Sequence, residues 1–128
     1  MLDNSQSELG KRAKSFQYAF EGWWYVLRTQ KNAWIHAVAS LAVVALGLWL
    51  GISLTDWAII ILTIAIVWMA EFINTALEAI VDMTMTEKNP LAKVAKDVSA
   101  AAVLIGACAA VLVGFLILGP PLWQRLIG

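Results

Sequence analysis

The sequence predicts an all-α polytopic membrane protein, a single domain over residues 1–128 with one N-terminal surface helix and three transmembrane helices. Three observations carry that prediction. Hydrophobic residues make up 61% of the chain, well above the roughly 45–50% of soluble domains. Three stretches reach or approach the ~20 apolar residues that cross a bilayer. Of the nine Lys and Arg residues, eight fall on one side of the arrangement that those stretches impose.

Residues 1–10 form a polar tail without the apolar core of a signal peptide, so no cleaved segment is expected. In residues 11–31, Phe16, Phe20, Trp23, Trp24 and Leu27 recur at helical spacing, while Lys11, Lys14, Gln17, Glu21 and Arg28 fall largely elsewhere. That pattern suits an amphipathic helix lying in the membrane interface, its cations drawn to anionic headgroups. It equally suits a helix packed on the bundle. The spans follow at residues 33–52, 57–81 and 98–118. Pro120 and Pro121 are expected to end the last helix, and Trp123 to mark the outer interface.

Charge fixes the orientation. The connection from Gly51 to Asp56 holds no basic residue, whereas Asp82 to Asp97 holds Lys88, Lys93 and Lys96. Lys11, Arg12, Lys14, Arg28 and Lys31 precede the first span, and only Arg125 lies on the other side. The positive-inside rule then puts the N-terminus and the second connection in the cytoplasm and the C-terminus outside. A formal net charge of +0 argues against nucleic acid as a partner, because such binding needs a basic excess. The single Cys108 excludes an internal disulfide and reads as a small packing residue. Three spans also cannot supply the paired halves of an inverted-repeat transporter.

Chemistry concentrates on the second span. Glu71, Asn74, Glu78 and Asp82 are three, four and four residues apart, which at about 100° per residue makes one narrow stripe. Counting from Trp57 at about 1.5 Å per residue, Glu71 lies about 20 Å in, within the inner half of the apolar layer. Glu78 and Asp82 then approach the cytoplasmic headgroups. Carboxylates so placed are costly in lipid and point to function. The third span opens with Lys93, Lys96 and Asp97, followed by Ser99 and the small residues Ala100, Ala101 and Ala102, which favour close helix packing. No GxxxxGK[ST] loop is present, so phosphate chemistry here would rest on carboxylate-held metal, a lysine and a base.

The run from Glu71 to Asp82, with Ala95-Lys96-Asp97 and Ala101-Ala102-Val103-Leu104 downstream, resembles the prokaryotic diacylglycerol kinase and undecaprenol kinase family over nearly the whole chain. The resemblance implies a homotrimer in the bacterial inner membrane with active sites shared between neighbouring subunits. It also implies Mg²⁺- and ATP-dependent phosphorylation of a membrane lipid alcohol, undecaprenol or diacylglycerol. On that pattern Glu71 is the general base, Asn74 supports the reacting groups and Glu78 is a metal ligand. Lys96 and Asp97 match the nucleotide-binding pair, and Lys11, Tyr18 and Glu87 match further nucleotide contacts. Asp82 matches a motif acid whose role the pattern does not specify.

Two positions depart from the family pattern. Gln30 stands where many members carry a glutamate that joins the second metal-binding acid; its amide oxygen can ligate Mg²⁺ but brings no charge. Asn89, in Lys88-Asn89-Pro90-Leu91-Ala92-Lys93, replaces the histidine of a His-Pro-Leu-Ala-Lys segment found in the undecaprenol kinase branch. That similarity tilts the acceptor toward undecaprenol. His36, near the start of the first span, reads as structural or interfacial, with lipid positioning as the alternative. A small cation- or proton-coupled exporter is the competing function, and a non-enzymatic membrane adaptor the third reading.

Overall fold

Four helices follow one another in the computed structural model, which describes residues 3–85 and 87–128, with side chains from residue 8 onward except at residue 86. They are α1 (Asp3–Thr29), α2 (Lys31–Leu50), α3 (Leu54–Thr84) and α4 (Pro90–Ile127), and there is no strand among the described residues. The last three are long and apolar enough to cross a membrane. The chain divides into two units, Met1–Lys31 and Asn32–Gly128.

In the first unit the helix begins earlier than the composition predicts. The first two residues of the polar tail lie outside the described residues, but the tail from Asp3 onward is helical. Local pairs support this helix: Lys11 with Glu8 at 2.9 Å, Gln17 with Glu21 at 2.9 Å, and Arg28 over the Trp24 ring at 5.8 Å. Each pairing of this kind contributes about 0.2–0.5 kcal/mol. The helix closes where the Thr29 hydroxyl donates to the Tyr25 carbonyl and the Gln30 N–H to that of Val26.

The second unit is a pair of helical hairpins sharing α3. At the first turn Gly51 has φ +65°, a left-handed conformation that costs an L side chain about 1–2 kcal/mol. The N–H groups of Gly51 and Ile52 both reach the Gly47 carbonyl, at 3.0 and 3.3 Å. Ser53 then starts α3 with a capping box, its hydroxyl oxygen accepting from the Asp56 N–H. Residues 85–89 connect α3 to α4. Asn89 caps α4 by accepting the Leu91 N–H at 2.8 Å, with Pro90 in the first helical position.

Packing in this unit depends on small residues. At Gly106 of α4 a methyl group would lie 3.9 Å from the Val67 backbone of α3, so the two helices approach closely. At Gly47 of α2 a methyl group would lie 3.0–3.1 Å from the Trp57 ring and Ile52. Glycine therefore makes room for that indole. Ile60, Val67, Trp68, Val103 and Leu118 are buried, while Leu41, Leu48, Leu112, Phe115 and Leu116 are well exposed. Apolar residues turned outward in such number suit lipid or a neighbouring subunit. Cys108 is exposed as well, so within one chain it does not fill the core.

The helices overrun the predicted spans. Hydropathy marks the stretch that belongs in lipid, whereas α3 and α4 continue into the polar segment and leave only residues 85–89 between them. Contrary to expectation, Pro120 and Pro121 lie inside α4, which runs on to Ile127. The adjacent prolines leave the carbonyls of Leu116 and Ile117 without their usual donors, and near the end of a span water can supply them. Arg125 then stacks on Trp49 at 5.0 Å.

Candidate functional site

The acidic stripe on α3 grades from dry to wet. Glu71 is 1% exposed and Asn74 7%, Glu78 is half-buried and Asp82 exposed. From Glu71 to Asp82 the helix rises about 16 Å. The four side chains thus connect the apolar interior to the helix end, where polar residues gather.

At the deep end, neither oxygen of the Glu71 carboxylate has a hydrogen-bond partner among the described residues. His36 Nε2 on α2 stands 3.4 Å from Oε2, within ion-pair distance but outside hydrogen-bond geometry. Buried polar groups are nearly always satisfied, and one that is not calls for a chemical explanation. A carboxylate with a free lone pair in dry surroundings can take a proton from a hydroxyl brought against it.

One helical turn on, Asn74 is held across the α3–α4 interface. The Ser99 hydroxyl lies 2.7 Å from Asn74 Oδ1 and 2.9 Å from the Lys96 carbonyl, and its single proton serves one of them at a time. With its oxygen so engaged, Asn74 directs its Nδ2 toward Glu78 Oε1 at 3.4 Å. Ser99 is 7% exposed. It enters this chain of contacts although by its position in the sequence it reads only as one of several small residues.

At the exposed end, Lys96 on α4 pairs with Asp82 on α3 at 2.5 Å, and Lys93 pairs with Asp97 one turn along its own helix at 2.5 Å. Lys96 and Asp97 therefore hold different partners and do not pair with each other. Asp82, Glu87, Lys88, Asn89, Lys93 and Lys96 line a cleft of about 610 Å³, a size typical of small-molecule sites. Three lysines on its wall suit a polyanion. Asp97 is exposed beside this cleft rather than in its lining.

Lys11, Tyr18 and Gln30 belong to the first unit. There Lys11 pairs with Glu8, Tyr18 is 63% exposed, and Gln30 sits in the single non-helical position between α1 and α2. The structure gathers the remaining predicted residues on α3, the 85–89 connection and the start of α4. Among the described residues no three His, Cys, Asp or Glu side chains form a ready-made metal site. Mg²⁺ does not require one, since it commonly takes one or two carboxylates together with substrate phosphates. The half-buried Glu78 carboxylate fits that donor set.

Comparison with known proteins finds similarity over most of the chain. A family described as prokaryotic diacylglycerol kinase matches residues 17–118. An undecaprenol kinase of Bacillus subtilis is 39% identical over 117 residues, which cover 91% of this chain and 95% of that protein. A diacylglycerol kinase of Synechocystis is 41% identical over 114 residues, covering 88% of this chain and 65% of the relative. A diacylglycerol kinase of Escherichia coli is 33% identical over 95 residues, covering 69% and 78%.

Proposed function

The chain belongs to the prokaryotic diacylglycerol kinase family, and from that membership we propose that it phosphorylates undecaprenol with ATP at the cytoplasmic face of the bacterial inner membrane. It is a membrane protein and a lipid kinase, transferring phosphate to a lipid alcohol. An exporter finds no support among relatives that are all kinases. Undecaprenol is preferred over diacylglycerol on two grounds. The relative matched over nearly the full length of both chains is an undecaprenol kinase, and the Pro90-Leu91-Ala92-Lys93 segment resembles that branch.

The observation that carries the mechanism is the graded stripe, a buried free carboxylate at one end and a lysine-lined cleft at the other. A lipid hydroxyl reaches Glu71 from the apolar layer, and Glu71 removes its proton as the oxygen attacks the γ-phosphorus. The bond to the β-phosphate oxygen breaks and its electron pair leaves with ADP. Lys96 faces the phosphates from the cleft, with Asp97, Glu87, Lys11 and Tyr18 as further nucleotide contacts. Asn74, fixed by Ser99, keeps Glu78 in register with the reacting groups. Glu78 would hold Mg²⁺, with Gln30 as a neutral second ligand. The bound ion would neutralise charge on the phosphate oxygens. The functional unit is a homotrimer with sites shared between subunits.

The test offers undecaprenol and diacylglycerol in competition to the purified chain with γ-labelled ATP. Label is expected mainly in undecaprenyl phosphate, and Glu71→Gln is expected to lower transfer by about 10²–10⁴-fold, the usual reach of general-base catalysis. Preferential labelling of diacylglycerol would reassign the acceptor. Full activity in the variant would remove Glu71 as the base.

A further inference from the structure

Glu71 has two oxygens in different settings. Oε2 faces His36 Nε2 at 3.4 Å, and Oε1 has no hydrogen-bond partner among the described residues. Both side chains are well covered, at 12% and 1% exposure. The imidazole is braced in turn. It meets the Trp68 ring edge-on with centroids 6.2 Å apart, and the Trp68 N–H reaches the Ser40 hydroxyl oxygen at 3.3 Å. His36 and Ser40 also line an apolar cavity of about 440 Å³. In such dry surroundings a hydrogen bond to a carboxylate is stronger than in water.

We propose that His36 is a positioning residue for Glu71: its Nε2–H holds Oε2, so that Oε1 alone is presented to the lipid hydroxyl. The proposal rests on the lipid-kinase reading above. Catalytic hydrogen bonds are often long before substrate binds and tighten with it, and Nε2 already stands 3.4 Å from Oε2. The two oxygens then divide the work. One is tethered to α2, the other receives the proton. The proton passes from the lipid oxygen to Oε1 as that oxygen bonds to the γ-phosphorus and ADP departs. In this role His36 acts through Glu71 and takes no proton itself.

The experiment compares His36→Met, which keeps bulk without a donor, with His36→Gln, which keeps a side-chain N–H. In lipid vesicles, His36→Met is expected to lower kcat about 10- to 100-fold, the range set by losing a hydrogen bond to a charged group, while KM for ATP stays within about twofold. His36→Gln is expected to recover at least a third of the lost kcat. A second readout needs no turnover: the infrared carboxylate band of Glu71, identified by its loss in Glu71→Gln, is expected to shift in His36→Met. An unchanged kcat in His36→Met, or an unmoved band, overturns the proposal, as does a Gln variant no better than Met. A wild-type chain that transfers no label overturns instead the kinase reading, and the band still decides the contact.

Discussion

Ser99 has a serine's modest size on a helix of small residues, yet its hydroxyl lies between Asn74 and the Lys96 carbonyl. Ser99→Ala leaves buried acceptor capacity on Asn74 without a donor, which costs about 1–3 kcal/mol. We expect a lower unfolding midpoint in a mixed-micelle titration, together with reduced kcat because Asn74 is freed to rotate. Lys96 makes the opposite case. Its pair with Asp82 is 36% and 66% exposed, and an exposed pair is worth at most about 1 kcal/mol. Lys96→Ala should therefore move the same midpoint by less than that and raise KM for ATP at least about tenfold, measured by steady-state kinetics. The acids were legible in the sequence because three- and four-residue spacing alone aligns them on a helix. Ser99 was not, because its meaning comes from Asn74 on another helix, 25 residues away.

The helices were legible where hydropathy speaks and obscure where it is silent. The apolar centres of α2, α3 and α4 announced themselves, but the polar flank from Asp82 to Asp97 read as a long connection. Asn89-Pro90 holds the missing signal, a cap followed by a favoured first helical residue. The continuation through Pro120 and Pro121 had no such signal, since two prolines ordinarily mark an end. At the level of the element, Gly47 sets the fit of α2 against the α3 entrance. Gly47→Val would force branched carbon into the space of the Trp57 ring. Overpacking of that kind costs about 1–3 kcal/mol, to be read as a lower thermal midpoint in detergent. Asn89→Ala should cost about 1 kcal/mol by removing the cap.

Across the whole molecule, the proposed orientation rests on the charge asymmetry and the proposed trimer on the family resemblance. A cysteine placed at Lys88 in a Cys108→Ala background is expected to react with an impermeant maleimide only in inside-out vesicles. One placed at Gln124 should react only in right-side-out vesicles. Equal labelling from both sides would undo the topology. Chemical cross-linking in lipid should end at a three-chain species, which suits the large apolar surface that one chain leaves uncovered. That surface was foreseeable from composition. The number of copies covering it was not, because lipid and a sister helix are equally apolar and leave the same marks on sequence.

The short connection between α3 and α4 bears on how the protein is made. Asn74 accepts a buried hydrogen bond from Ser99 on α4, the helix that leaves the ribosome directly after α3. A nascent chain halted at Thr84 would carry Asn74 into the bilayer without that partner, and an unmatched amide there is expensive. Biosynthesis then favours releasing the two helices from the insertion machinery as a pair. Pairing the two helices joins Asn74 to Ser99 and Asp82 to Lys96, so α3 reaches the lipid with those two polar groups already matched.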